Sequence, residues 1–354
     1  MKLIGRIVSV ALVTSILLSL FSCDATKSKQ RYTKTYLNYF DTATTIIGYA
    51  ESEEEFLRVS GMVSDMLGEY HRLYDIYNRY EGLVNIATLN SLFEGEHRAF
   101  VVDERIMSLL LYCKQVYSIT GGETNIAMGS VLKLWHDRRE AAISNPDAAA
   151  LPTYDKLLAA SEHTDINDLI LDEENMTVYI ADPDMRLDVG AVAKGYATEM
   201  AARELERMGI SGYILNVGGN IRTVGTRPDG SDWTVGVENP DKSSDEAYIE
   251  YVSLSGEAFV TSGSYHRYFE LDGKRYHHII DKDTLYPSEY FTSVSVLCTD
   301  SGLADALSTA LFSMSYESGL ALINSIENAE AMWYTKDGEK LYSSGFSEYI
   351  KIID

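Results

Sequence analysis

The sequence holds three cysteines in 354 residues, and none stands in a CxxC or Cys/His cluster, so nothing suggests a zinc site. Cys113, in "RIMSLLLYCKQVYSIT", and Cys298, in "SVSVLC", read as buried small hydrophobes, the common state of a free cysteine. An oxidising compartment would permit a disulfide, but sequence alone does not bring the two together. Positive charge is also scarce. Lys and Arg number 30 against 53 Asp and Glu, a formal net charge of −23, which excludes nucleic acid as a partner because phosphate backbones need a basic face. A single polyphosphate ligand stays compatible, especially beside a metal cation. There is no internal repeat and no low-complexity block. Long apolar runs are absent but for "IVSVALVTSILLSLF" near the N-terminus.

Lys2 and Arg6 precede that run and "SCD" follows it. A basic start, about 15 apolar residues and small residues at the end describe a secretory signal, too short for a comfortable membrane span. Leu20-Phe21-Ser22-Cys23 resembles a bacterial lipobox, which implies cleavage before Cys23, lipidation of its thiol and an extracytoplasmic domain anchored to a bacterial membrane. Residues 1–22 are therefore expected as signal peptide, 23–35 as lipidated cysteine and polar tether, and 36–354 as one domain.

With 45% hydrophobic residues the remaining chain can build a substantial core. "YFDTATTIIGYA" reads as a first strand, and "EEEFLRVSGMVSDMLGEYHRLYDIYN" as a long amphipathic helix. The helix "ERIMSLLLYCKQVYSIT" ends at Gly121-Gly122, and residues 137–168 read as a polar loop with one surface helix. Strand-rich stretches then lead to the helix "SGLADALSTALFSM" and a hairpin turning at Asp337-Gly338. The irregular alternation predicts an α+β fold with a mixed, largely antiparallel sheet and flanking helices.

Four stretches carry chemistry. In "LDVGAVAKGYATE" the small residues let a ligand or backbone come close, between short strands "MTVYI" and "MRLDVG" and a helix capped at Gly209. Asp188 and Lys194 flank that turn, where free N–H groups attract anions such as phosphate. "NVGGNIRTVG" is either a ligand cradle or a plain hairpin, and lacks both GxGxxG spacing and a P-loop Lys-Ser/Thr. "ADALSTA" puts Asp305 and Thr309 on one helical face, hard oxygen ligands suited to Mg²⁺. "TSGSYHRYFELDGKRYHHIIDKDTLYP" holds His277 and His278, which as strand neighbours face opposite sides.

Taken in order, "LDVGAVAKGYA", "NVGGNIRTVG", "TSGSYHRYF…YHHIID" and "ADALSTALF" resemble the FAD:protein FMN transferases, the ApbE-type flavin transferases. The resemblance spans roughly Tyr39 to Met314. It implies a single ApbE-like domain that moves FMN from FAD to a threonine or serine of a target protein, releasing AMP, with Mg²⁺ required. It assigns Asp305, Thr309 and the carbonyl of Ala191 as metal ligands. Phe40, Tyr77, Glu123, Thr124, Asn125, Asp188 and Lys194 become flavin-contacting positions, and His278 the group that activates the acceptor hydroxyl. The implied acceptors are extracytoplasmic flavoprotein subunits of membrane redox complexes. Three departures stand against the pattern. Asn125 and Ser264 occupy places where aspartate is usual, and Lys282-Asp283-Thr284-Leu285 replaces a Pro-x-Thr-Gly. A Mg²⁺-dependent FAD pyrophosphatase and a non-catalytic FAD-binding lipoprotein stay open as alternatives, the altered loop favouring the binder.

Overall fold

The computed structural model describes residues 28–91, 98–241 and 243–353. The expected signal peptide, Cys23 and the first part of the tether lie outside the described residues. Strand β1 (Gln30–Tyr39) turns through Phe40 and Asp41 into β2 (Thr42–Ala50), and α1 (Glu53–Tyr74) follows. β1 corrects the tether: residues 30–35, expected outside the domain, belong to a strand paired from Gln30↔Ala50 to Tyr39↔Thr42. Its polar composition hides an alternation. Tyr32 stacks on Phe56 at 5.5 Å and Tyr36 reaches Ser60, both on α1, so one face of β1 packs inward. Ser52 caps α1, accepting from the Glu55 amide, with three glutamates in the first turn and His71 and Arg72 in the last, as the helix dipole favours.

Then come α2 (Ile86–Leu89), β3 (Phe100–Val101), α3 (Glu104–Ile119), α4 (Gly129–Ser144), α5 (Tyr154–Ser161), β4 (Leu169–Asp172), β5 (Thr177–Ile180) and α6 (Ala193–Arg207). Strands β6 (Tyr213–Val217), β7 (Asn220–Val224), β8 (Trp233–Glu238), β9 (Tyr248–Leu254), β10 (Ala258–Gly263), β11 (Tyr268–Leu271), β12 (Lys274–His277) and β13 (Ser293–Cys298) continue the chain. It closes with α7 (Ser301–Phe312), α8 (Tyr316–Ile323), β14 (Ala329–Tyr334) and β15 (Lys340–Tyr342). The main sheet runs β1-β2-β6-β7-β10-β13-β14-β15 with every neighbour antiparallel, so the expected α+β class and largely antiparallel sheet are observed.

Alternation along the strands sorts the core into layers. Val260, Val296 and Trp333 pack with α7 and α8, while Phe259, Leu297 and Met332 face the β8–β9 ribbon. A satellite cluster joins α4 and α5 to β11, β12 and Leu285 around Trp135 and Phe269. α4 extends into residues 137–144, part of what the sequence suggested was loop. α6 ends as expected: Gly209 has φ +71°, its amide donates to Glu206 and the next amide, of Ile210, to Leu205, a Schellman cap. Ala197, Ala201 and Leu205 are buried, but Met208 turns outward. "MRLDVG" is not a strand. Asn90 takes the partner's place, accepting from the Leu187 amide at 2.7 Å and donating to its carbonyl at 2.8 Å, and only a Met128–Arg186 bridge remains. Cys113 and Cys298 are both buried free thiols.

Candidate active site

A cleft of about 740 Å³ opens between the main sheet and the satellite cluster. The β1–β2 turn, the end of α1, α4, the turn before α6, the β6–β7 hairpin, the end of β12 and α7 all border it. Every site residue expected from sequence that the structure describes lines this one cleft: Phe40, Tyr77, Glu123, Thr124, Asn125, Asp188, Ala191, Lys194, His278, Asp305 and Thr309. Their individual chemistry differs.

The metal-ligand candidates sit at the contact of α6 and α7. Asp305 is buried, and its Oδ2 accepts from the Gly195 amide at 2.9 Å and lies 3.4 Å from the Lys194 ammonium. Lys194 also donates to the Gly190 carbonyl at 3.3 Å, which draws its head group back over the turn. The Thr309 hydroxyl points to the Asp305 carbonyl at 3.3 Å and is 3.5 Å from Ser262 Oγ, which in turn meets Ser308 at 2.8 Å. Gly195 is required here: a Cβ would come within 2.3 Å of the Ser301 carbonyl and 2.5 Å of the Asp305 Cβ.

Asp188 hangs from the Ile126 carbonyl by its own amide and accepts from Gly190 at 2.9 Å. Burial pushes its carboxyl above the ordinary range against the pull of that amide and of His136, Arg267 and Lys194. His278 is exposed and lines the cleft. Desolvation first, then the positive charge of Arg267 and Lys194, holds it well below the ordinary histidine value, so it is a neutral acceptor at neutral pH. His277, the last residue of β12, is buried, bonding the Ser288 carbonyl at 2.9 Å and meeting Phe312 edge-on, while His278 lies in the bend just past the strand and is exposed, so the pair diverges although the second histidine is not a strand residue.

Asp75 organises the aromatic wall, accepting from the amides of Tyr77 and Asn78 and from the Tyr80 hydroxyl. The Tyr77 ring stacks on His136 at 4.7 Å with its hydroxyl 3.2 Å from Nδ1. Phe40 and Asp41, with φ of +52° and +53°, form the tight β1–β2 turn, and the Phe40 ring meets His71 edge-on at 5.6 Å. In the Glu123-Thr124-Asn125 turn the side chains are partly committed to structure. Thr124 donates to the Ala306 carbonyl at 2.8 Å, tying this turn to α7, and Asn125 donates to Thr164 at 2.9 Å while accepting from Ala127. Glu123 faces Lys282 at 3.4 Å.

The altered loop is ordered by its own hydrogen bonds, without proline or glycine. Asp281 Oδ1 accepts from the Asp283 and Thr284 amides, and Leu285 adopts φ +60°, the left-handed conformation a glycine favours. Sequence reasoning missed His136 and Arg139, which belong to a helix that carries no motif. It also gave no role to Arg267 and Lys282, although both lie in the quoted histidine segment. Outside the cleft, His163, Asp182 and Asp184 bring ligand atoms within 4.8 Å of one another. There the histidine Nδ1 lies 2.8 Å from Asp182 and Nε2 4.0 Å from Asp184, and the hydrogen bond to Asp182 raises its proton affinity above the ordinary histidine value.

Residues 40–333 match the sequence model of the ApbE family. A Klebsiella pneumoniae protein named FAD:protein FMN transferase is 33% identical over 279 residues, covering 77% of this chain and 84% of that protein. A Treponema pallidum protein of the same name is 31% identical, covering 76% of this chain and 75% of that one. Among solved structures, the ApbE protein of Thermotoga maritima superposes with a TM-score of 0.78 at 24% identity, covering 91% of this chain and all of that one.

Proposed function

The chain belongs to the ApbE family, and from that premise we propose that it transfers the FMN half of FAD to a threonine or serine hydroxyl of an acceptor protein, releasing AMP, with Mg²⁺ as cofactor. The observation that supports this most is the convergence on one cleft of a hard-oxygen cluster, a cation, a neutral histidine and an aromatic wall. The donor set fits Mg²⁺. Asp305 spends Oδ2 on α6, no donor among the described residues reaches its Oδ1, Thr309 follows it one turn later on α7, and Ala191 lines the same cleft. Bound there, Mg²⁺ would neutralise pyrophosphate charge and favour in-line attack. Lys194 brings a second positive charge to the pyrophosphate. Tyr77 and His136 offer a flat face to an aromatic ring of FAD. His278 takes the proton from the acceptor hydroxyl as its oxygen bonds to the FMN phosphorus. The bond to the AMP phosphate breaks, and AMP leaves with the bridging oxygen and the electron pair.

Intact-mass spectrometry of a candidate acceptor incubated with FAD, Mg²⁺ and this protein tests the reading. One added FMN per acceptor is the expected result, and Asp305→Ala is expected to slow it by at least about 10²-fold, the scale of losing one electrostatic stabiliser. Free FMN and AMP with an unmodified acceptor would instead identify a pyrophosphatase. FAD binding with neither FMN transfer nor hydrolysis would identify a non-catalytic binder, the alternative that the altered loop favours. Within this reading the protein works outside the cytoplasm on a lipid anchor at Cys23, and its acceptors are flavoprotein subunits of membrane redox complexes.

A further inference from the structure

Glu199 is a buried carboxylate that the proposed chemistry does not use. It lies on α6 one turn after Gly195, is 2% exposed, and faces donors only: Arg222 Nε, Arg203 Nε and the Ser301 amide, each at 2.9 Å, with Arg222 Nη2 at 3.4 Å. Ser301 is the first residue of α7, and Gly195 the third of α6, so both amides belong to the N-terminal turn that a helix leaves without internal partners. α6 has no side-chain cap at Val192. The two helices therefore cap each other. Asp305 on α7 receives the Gly195 amide, and Glu199 on α6 receives the Ser301 amide, both at 2.9 Å. The steps from 195 to 199 and from 305 to 301 run in opposite directions, one turn of each helix, as an antiparallel crossing requires. Arg203 extends the clamp by bonding Asp300, the α7 N-cap, at 2.8 Å.

We propose that Glu199 is a positioning residue for the metal end of the cleft, fixing the register of α7 on α6 and thereby the direction of the free oxygen of Asp305. With Oδ2 bonded to α6, the aim of Oδ1 follows the placement of one helix on the other. The backbones touch at Gly195, and Glu199 is the second point of attachment that prevents α7 from sliding or pivoting there. Mg²⁺ demands near-ideal octahedral oxygen geometry, so displacements of a few tenths of an ångström weaken its binding. Outer groups that orient metal ligands commonly change affinity by about 10- to 100-fold when removed.

This inference rests on Asp305 and Thr309 holding Mg²⁺, and its test separates the two claims. The full chain is titrated with Mg²⁺ at saturating FAD, and the half-saturating concentration is taken as the Kd fitted to the logarithmic rise in Tm. FAD affinity is measured separately without Mg²⁺ by flavin fluorescence. Glu199→Gln keeps the volume but presents an amide N–H₂ to a ring of donors, and is expected to raise the Mg²⁺ half-saturation about tenfold or more. Its FAD affinity is expected to stay within about twofold, since no FAD-contacting position is altered. Leu205→Ala, a cavity lower on the same helix, is expected to lower Tm with Mg²⁺ half-saturation unchanged. If Glu199→Gln does not fold, Arg203→Gln, at a side chain more than half exposed, loosens the same clamp by removing one Glu199 partner and the bond to Asp300, and is expected to raise the Mg²⁺ half-saturation in the same direction. Unchanged Mg²⁺ half-saturation in the folded variant, or an equal change in Leu205→Ala, overturns the role of Glu199. A wild-type protein with no Mg²⁺ response overturns the metal reading itself, and this inference with it.

Discussion

His278 shows how a position in the chain becomes a chemical property. That the two histidines diverge was legible, although His278 lies just past β12 and not within it, but its low proton affinity was not. That depends on desolvation in the cleft, on Arg267 of the same segment, and on Lys194 from a distant part of the sequence. A base held well below 6.5 stays unprotonated through mildly acidic conditions, so the acid limb of the kcat/KM profile is expected to lie below the range of an ordinary histidine. The same shift has a thermodynamic sign. The folded protein binds the proton less readily than the unfolded chain, so the contribution of His278 to stability is full above the unfolded value near 6.5 and is lost as pH falls toward the folded value. A rate profile with its acid limb centred at pH 7 or above would assign the titrating base elsewhere. Asp305 and Thr309 were legible for a simpler reason: four residues of one helix fix their common face. Glu199 was not, since its partners Arg222 and Ser301 are separated from it by 23 and 102 positions and meet it only in the folded core.

Among the elements, those with local signals were read well and those with borrowed partners were not. α6 announced its Schellman cap through Gly209, and α3 its end through Gly121-Gly122. The stretch around Leu187 reads as a strand in the sequence, and no local pattern could show that the Asn90 side chain would replace a neighbouring strand. The loop after β12 sets two local effects against each other. Leu285 at φ +60° carries about 1–2 kcal/mol of left-handed strain, the cost a glycine would avoid. Its side chain is 5% exposed and packs in the Trp135 cluster, where burial of a leucine stabilises by about 1.5–3 kcal/mol and leaving a cavity adds to the loss. Burial wins. Leu285→Gly is therefore expected to lower the urea midpoint, by about 1–2 kcal/mol of stability, even though it restores the residue the family pattern favours there. A rise in the midpoint would show that strain dominates this loop. Trp135 Nε1 donates to the Leu285 carbonyl at 2.9 Å, a bond that either side chain permits, so the comparison isolates strain from hydrogen bonding.

At the scale of the whole molecule the question is where so acidic a domain is held. Among the described residues no helix is long and apolar enough to cross a membrane, so in the proposed reading attachment rests on Cys23 alone. The start of β1 at Gln30 shortens the tether that the sequence suggested. Residues 24–29 remain, and at about 3.5 Å each they reach roughly 20 Å, half the span expected if the tether ran to Lys34. In that proposed reading a tether this short would keep the β1 edge of the sheet close to the lipid headgroups and restrict acceptors to loops within about one small domain's height of the membrane. Membrane fractionation and intact-mass analysis of the wild type and Cys23→Ser check this. The wild type is expected in the membrane fraction with an acylated N-terminal cysteine and without residues 1–22, and the variant is expected to lose the lipid mass and that attachment. Equal membrane retention of the unlipidated variant would place the anchor in the apolar run of residues 7–21 instead. Extending the segment by six Gly/Ser residues after Asp24 then tests reach. If the short tether selects membrane-proximal acceptors, the longer one broadens the set of proteins that gain FMN while turnover on a soluble acceptor peptide stays the same.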